Sequence, residues 1–171
     1  FSVTNRDDHL QRLAETADIL GQDPYPIPNV SLRAVADSTR HAVNAVGGPK
    51  EQLKPVWTVI PQYGSKQPTE QELRCMAYLA IASGAQGLGI YAWDDRNAIT
   101  KEGWRTGDHP EDLKIFETVI GELNKLQDVL IIPNSSRALT FAPDNPALHV
   151  ALKESGKTDY LIVVNDSRKA E

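Results

Sequence analysis

Residues 68–95 read PTEQELRCMAYLAIASGAQGLGIYAWDD and carry the clearest pattern in the chain. Thr69, followed three positions later by Glu72, is a capping box, which predicts the start of a helix. Apolar residues then recur at three- and four-residue spacing, and Gly84 stands where a left-handed residue ends such a helix. The nearly all-apolar run over 87–92 predicts a short strand that is buried on both faces.

Polar residues follow this strand at once, beginning with Asp94. In α/β proteins, functional side chains gather at the carboxyl ends of parallel strands, so this position is a candidate for chemistry. Two more helix–strand pairs precede it. An amphipathic helix over 7–17 leads to a strand at 18–22, and a helix capped by Ser31 leads to a β-branched strand at 56–60.

The last part of the chain changes from helical to extended periodicity. A final amphipathic helix, capped by Asp108 or His109, precedes this change. Three short strands are predicted after it, at 136–141, 147–152 and 160–165, and the turn residues between the last two predict a hairpin.

The predicted class is therefore α/β, with three parallel strands followed by an antiparallel β segment. Three such strands form either a small open α/β sheet or the last third of an eight-stranded barrel, and periodicity leaves both open. The change in composition near Pro133 divides the chain into residues 1–133 and residues 134–171.

Composition narrows the classes of function. The 171 residues are 40% hydrophobic and 24% charged, which is typical of a globular protein, and the net charge of −5 argues against nucleic-acid or anionic membrane surfaces. The single cysteine, Cys75, excludes an internal disulfide framework, and the four histidines lack metal-ligand spacing. No phosphate-binding glycine loop lies between a strand and a helix. We therefore expect no metal and no cofactor.

Three segments resemble a known family. ADILGQDPYPIP (17–28), PVWTVIPQYG (55–64) and the stretch over 68–95 resemble the C-terminal half of the (β/α)8 barrel of bacterial glycoside hydrolases, in the broad clan of β-galactosidase-like enzymes and their uncharacterised members. The resemblance implies that the three predicted strands are barrel strands six, seven and eight. It also implies that strands one to five lie outside this chain and that a β-rich domain starts at about residue 134.

The resemblance implies hydrolysis of glycosidic bonds by two carboxylates, an acid/base and a nucleophile. The acid/base would follow strand four, outside this chain, and the nucleophile, a Glu, would follow strand seven, where this chain has Gln62. An amide cannot attack an anomeric carbon. Either Asp23 or Asp94 therefore serves in catalysis, or the protein is a non-catalytic glycan-binding or scaffold module.

The candidate site residues follow the three strands. The catalytic candidates are Asp23, in a proline-rich loop, and Asp94; the alternatives are a loop-bonding turn residue and an ion pair with Arg96. Aromatic rings bind the C–H faces of sugars and amides bind their hydroxyl groups. The substrate-binding candidates are Tyr25, Gln62, Tyr63, Trp93 and Trp104.

The expected partner is a carbohydrate, with no nucleic acid and no membrane. A partial barrel exposes unpaired strand edges, so we expect self-association or a missing barrel half supplied by another chain. The resemblance is compatible with a secreted or periplasmic protein. A self-contained open α/β domain of unrelated function is the third hypothesis, and it predicts a monomer with covered sheet edges.

Overall fold

The structure is a computed structural model that describes residues 7–49, 51–62, 67–94, 105–137, 139 and 145–167. It confirms an α/β protein with a three-stranded parallel sheet and a separate two-stranded antiparallel sheet. The helices are α1 (Asp7–Thr16), α2 (Arg33–Ala45), α3 (Glu70–Ala82), α4 (Pro110–Lys125) and α5 (Gln127–Leu130). The strands are β1 (Leu20–Gln22), β2 (Val56–Pro61), β3 (Gly87–Tyr91), β4 (Leu148–Glu154) and β5 (Asp159–Asn165).

The parallel sheet has the order β1-β2-β3, so β2 is central and the other two strands form its edges. Leu20 pairs with Val56, and Trp57 pairs with Gly87. Each strand follows a helix, and the three strands predicted from the sequence all form within two residues of their expected bounds. The carboxyl ends of the three strands lie together at one end of the sheet, which we call the carboxyl edge.

Helix α3 begins and ends as the sequence predicts. The Thr69 side chain accepts a hydrogen bond from the Glu72 backbone N–H, and the Glu72 carboxylate accepts one from the Thr69 N–H, so the capping box is confirmed. Gly84 follows the helix with a φ of +101°, a conformation that side chains with a Cβ rarely adopt.

One face of the parallel sheet is covered by helices. Val56, Thr58 and Ile60 of β2 are fully buried on this face. The hydroxyl groups of Thr39 in α2 and Thr58 lie 2.8 Å apart and share a hydrogen bond. Leu73 of α3 packs in the same core as Ile60, so the helices α2 and α3 form the layer over this face.

The opposite face of the sheet is open among the described residues. Because side chains alternate along a strand, Trp57 and Val59 point to this face, and Trp57 is 46% exposed. Glycines lie beside them on β3: a Cβ at Gly87 would be 2.6 Å from Nε1 of Trp57, and one at Gly89 would be 3.3 Å from Cγ2 of Val59. The indole ring therefore lies directly on the backbone of β3.

Helix α4 packs on α3 through an apolar contact and a polar cluster. Val119 belongs to the core that α3 forms with the sheet. Nε of Arg74 donates to the Glu122 carboxylate at 2.8 Å, and the Tyr78 hydroxyl donates to its other oxygen at 2.8 Å. Burial, together with the hydrogen bond to Glu122, raises the pKa of Tyr78 to about 12.

The predicted hairpin is confirmed, since β4 and β5 pair antiparallel with Gly156 in the turn at a φ of +79°. Ile162 and Val164 of β5 pack on the α3 core. On β4, Lys153 is almost fully buried, and its ammonium group donates to the carbonyl of Ile132. Burial lowers the pKa of Lys153.

Several local expectations differ from the structure. The N-cap of α2 is Leu32 rather than Ser31, whose hydroxyl accepts from the Arg33 N–H. His109 is the N-cap of α4, one of the two residues expected there, although its side chain makes no capping hydrogen bond. Strand β3 was expected to be buried on both faces, and this was wrong for the described chain, because β3 is an edge strand beside the open face and all five of its residues are partly exposed.

The strand predicted at 136–141 lies largely outside the described residues, and the part that is described contains no strand; its neighbour Asn134 makes one isolated bridge with Lys153. None of the helices within the described ranges combines the length and apolar character needed to cross a lipid bilayer.

Candidate functional site

The candidate site is the edge of the parallel sheet where its three strands end. Asp23 follows β1, Gln62 follows β2, and Trp93 and Asp94 come shortly after β3. Since β2 separates β1 from β3, these two outer strands lie about 10 Å apart. The fold thus places a polar or aromatic residue after every strand of the sheet, as the sequence predicts.

Asp23 is held by its neighbour in the proline-rich loop. The Tyr25 hydroxyl donates a hydrogen bond of 2.9 Å to Oδ2 of Asp23. The other oxygen, Oδ1, is buried and has no hydrogen-bond partner among the described residues. Burial raises the pKa of the Asp23 carboxyl, and the hydrogen bond from Tyr25 partly opposes this change.

Gln62 is 1% exposed and joins β2 to the start of α4. Its amide nitrogen donates to the backbone carbonyl of Asp112 at 2.9 Å. By strand alternation Gln62 shares the helix-covered face with Thr58 and Ile60. Its Oε1 is buried and has no partner among the described residues, so this oxygen is an unused acceptor on the helix side of β2.

Trp93 and Asp94 lie in a short segment that is tied to the 3-10 turn Thr106–Asp108, which precedes α4. Thr106 anchors this segment, because its N–H donates to the Trp93 carbonyl and its hydroxyl donates to the Ala92 carbonyl, both at 2.9 Å. Asp94 forms an antiparallel bridge with Arg105. The Trp93 side chain is 54% exposed, so its ring is available to a ligand.

Of the other predicted binding residues, one is described by the structure and two are not. Tyr25 is 39% exposed, and its hydroxyl contacts Asp23. Tyr63 and Trp104 lie outside the described residues, so their predicted roles stay predictions.

Two residues at this edge were not found by sequence reasoning. Thr106 fixes the Trp93 segment, and Asp112 supplies the carbonyl that holds Gln62. Burial also raises the pKa of the Asp112 carboxyl. The sequence signal for Asp112 is the acidic pair that follows Pro110 in the first turn of α4. Acidic residues are common in the first turn of helices, so this pair does not indicate a site by itself.

The two large cavities lie elsewhere. One of about 1090 Å³ is lined by the C-terminal ends of α3 and α5, by Gln86 and Gly87 at the start of β3, and by Lys153 of β4. Another of about 550 Å³ lies between α3, α5 and β5. The first lies at the opposite end of β3 from the carboxyl edge, and no residue of the parallel sheet lines the second. Cavity size favours the first, which also contains the unpartnered Oδ1 of Asn134, but the buried Asp23 carboxylate and the exposed Trp93 ring occur together only at the carboxyl edge among the described residues.

No group of three or more His, Cys, Asp or Glu side chains in the described part of the chain is arranged to hold a metal ion. The fold and the site define an α/β protein with a polar and aromatic carboxyl edge. No family model, curated protein or solved structure matches the chain.

Proposed function

We propose that this chain forms the last three strands, with their helices, of a TIM-type barrel in a carbohydrate-active protein of the glycoside hydrolase type. The proposed ligand is a carbohydrate bound at the carboxyl edge of the sheet. The proposed reaction is hydrolysis of a glycosidic bond by the whole protein, with the remaining barrel strands supplied from outside residues 1–171.

The one-sided cover of the parallel sheet supports the barrel. Parallel sheets are normally covered on both faces, whereas here the helices cover one face and Trp57 is 46% exposed on the other. In a TIM barrel the helices form the outer layer, and the inner face is filled by side chains from all eight strands. The open face is therefore the face that closure of a barrel would bury.

A buried, unpartnered acceptor carries the functional proposal. Oδ1 of Asp23, which follows β1, is buried without a hydrogen-bond partner among the described residues, whereas Oε1 of Gln62 lies on the helix-covered side of β2. Leaving a buried acceptor unpaired costs about 1–3 kcal/mol, so such atoms favour a ligand that donates hydrogen bonds. A sugar presents many hydroxyl donors, and the exposed ring of Trp93 suits its C–H face.

One observation favours the second candidate, a glycan-binding or scaffold module without catalysis. Gln62 stands where the resemblance expects the nucleophile, and its amide is held by the Asp112 carbonyl. An amide in this position binds but does not attack. In the catalytic alternative, Asp23 is the first candidate for proton transfer, because burial raises its pKa.

The test is to measure binding and hydrolysis of a panel of p-nitrophenyl glycosides by this chain and by the full product of its gene. We expect Trp93→Ala to weaken binding about ten-fold, because stacking on an exposed ring is lost. Tyr160→Ala, at another exposed aromatic residue, on β5, should leave binding unchanged.

Asp23→Asn separates the two candidates. If the full product hydrolyses a glycoside and Asp23→Asn abolishes the reaction while Asp128→Asn, on exposed α5, does not, the protein is an enzyme. If the full product binds a glycoside but releases no p-nitrophenol, the protein is the second candidate, a binding module without catalysis. Absence of binding to every glycoside by both proteins would sink the carbohydrate proposal.

A further inference from the structure

The loop after β1 places a tyrosine against the candidate aspartate. Asp23 and Tyr25 are separated by Pro24, and Pro26 follows, with both prolines buried. Proline fixes its own φ and restricts the residue before it, so Tyr25 has little backbone freedom. Its hydroxyl lies 2.9 Å from Oδ2 of Asp23. The hydrogen bond therefore forms within a loop that is already ordered.

This hydrogen bond makes the two carboxylate oxygens of Asp23 unequal. Oδ2 accepts from Tyr25, whereas Oδ1 is buried without a partner among the described residues. A carboxylate with one oxygen occupied can rotate only by breaking that bond. Oδ1 is thus held in a single orientation, with its lone pairs unused by the described residues.

We propose that Tyr25 is a positioning residue for Asp23: its hydroxyl holds Oδ2 so that Oδ1 is the oxygen that receives a ligand hydroxyl. The ligand half of this inference rests on the proposed function. It reassigns Tyr25, which the sequence suggested as a ring that contacts the sugar directly. The hydroxyl, rather than the ring, is the part of Tyr25 that acts.

The first measurement needs no ligand. The carboxyl resonance of Asp23 is followed by NMR as a function of pH in the wild-type chain and in Tyr25→Phe. Donation to an ionised carboxylate favours that form, so the pKa of Asp23 should rise in the variant. Tyr160→Phe on β5 is the matched control and should leave it unchanged. An unaltered pKa in Tyr25→Phe would overturn the pairing.

The second measurement separates positioning from stacking. Dissociation constants for the p-nitrophenyl glycosides are compared between Tyr25→Phe, which keeps the ring, and Tyr25→Leu, which removes it. Loss of a hydrogen bond to a charged group should weaken binding about ten-fold in both variants. If Tyr25→Phe binds like the wild type and only Tyr25→Leu is weakened, the ring is the active part and the inference is wrong.

The two measurements also separate this inference from the proposed function. If the wild-type chain and the full gene product bind no glycoside, the carbohydrate proposal and the ligand half fail together, and the titration of Asp23 still decides whether Tyr25 holds it. Circular dichroism of both variants confirms that the fold is retained. Tyr25→Phe changes only one hydroxyl and is the variant on which the titration depends.

Discussion

The two faces of the parallel sheet differ sharply although the same three strands form both. On the face under the helices, Val56, Thr58 and Ile60 are fully buried. On the other face, one residue along the same strand, Trp57 is 46% exposed and rests on a glycine of β3. Among the described residues, the helices therefore cover only one of the two faces that a parallel sheet normally buries.

We expect an open face of this kind to be covered in the working protein. Exposed apolar surface beside unpaired strand edges promotes association. In the proposed barrel, strands from outside residues 1–171 close over this face, and self-association of the chain is the alternative. Substitutions on the two faces should therefore differ in their effect on the free energy of unfolding, as the faces differ in exposure.

The largest effect is expected for a matched pair of valines on β2. Val56→Ala deletes two fully buried methyl groups and should lower the free energy of unfolding by about 2 kcal/mol. Val59→Ala, on the open face of the same strand, should cost less than about 1 kcal/mol, since Val59 is only partly buried. Urea denaturation of the isolated chain measures both.

The same pair tests closure of the barrel. In the full gene product, the cost of Val59→Ala should rise towards that of Val56→Ala if further strands cover the open face. Equal costs of the two substitutions already in the isolated chain would mean that another copy covers this face, and sedimentation would then show a dimer.

A somewhat smaller effect is expected at the contact between Trp57 and Gly87. A Cβ at Gly87 would lie 2.6 Å from the indole, so Gly87→Ala must displace the ring and should cost about 1–2 kcal/mol. In a Trp57→Ala background the substitution should be neutral or slightly stabilising, because alanine loses less backbone entropy than glycine. A double-mutant cycle of denaturant unfolding measures the coupling. A cost that persists without the indole would contradict this explanation.

The smallest effect concerns the polar cluster in the helix layer over the covered face. Glu122→Gln removes the ion pair with Arg74 and should cost about 1 kcal/mol at neutral pH, because the side chains are about a third exposed. The matched control is Glu117→Gln, which is exposed on the same helix and should be neutral.

The pH dependence of this cluster has a defined sign. The hydrogen bond from Arg74 lowers the pKa of Glu122 below its ordinary 4.5, so its contribution is present above 4.5 and is lost as the pH falls through the lowered value. Tyr78 acts oppositely: its pKa is raised from 10.0 to about 12, so its contribution is present below 10.0 and is lost as the pH rises through about 12. In thermal unfolding measured across pH, the loss of stability on the acid side should be smaller in Glu122→Gln than in the wild type.

Local patterns predicted most of the fold because they act over a few residues. The Thr69–Glu72 capping box, the left-handed Gly84 and the hairpin of β4 and β5 all depend on neighbours in sequence, and all three are confirmed. The exposure of β3 could not be predicted in this way. Burial of a strand depends on what covers its two faces, and an apolar sequence indicates only that the strand could be buried.

The candidate site also combines features that the local sequence predicts with features that depend on distant residues. The polar residues after each strand are visible in sequence, and the contact between Asp23 and Tyr25 spans only two residues. The partner of Gln62 is the carbonyl of a residue fifty positions away, which no local pattern indicates. The placement of Trp93 likewise depends on Thr106.

The sequence by itself determined the α/β class, the three helix–strand pairs, the hairpin and the residues that follow the strands, because helix caps, turns and side-chain periodicity are set by short-range sterics and hydrogen bonding. Only the tertiary structure decided which face of the sheet is covered, which oxygens of Asp23 and Gln62 lack partners among the described residues, and what holds Trp93 in place. These features depend on packing between distant segments, whose geometry is set by the whole chain.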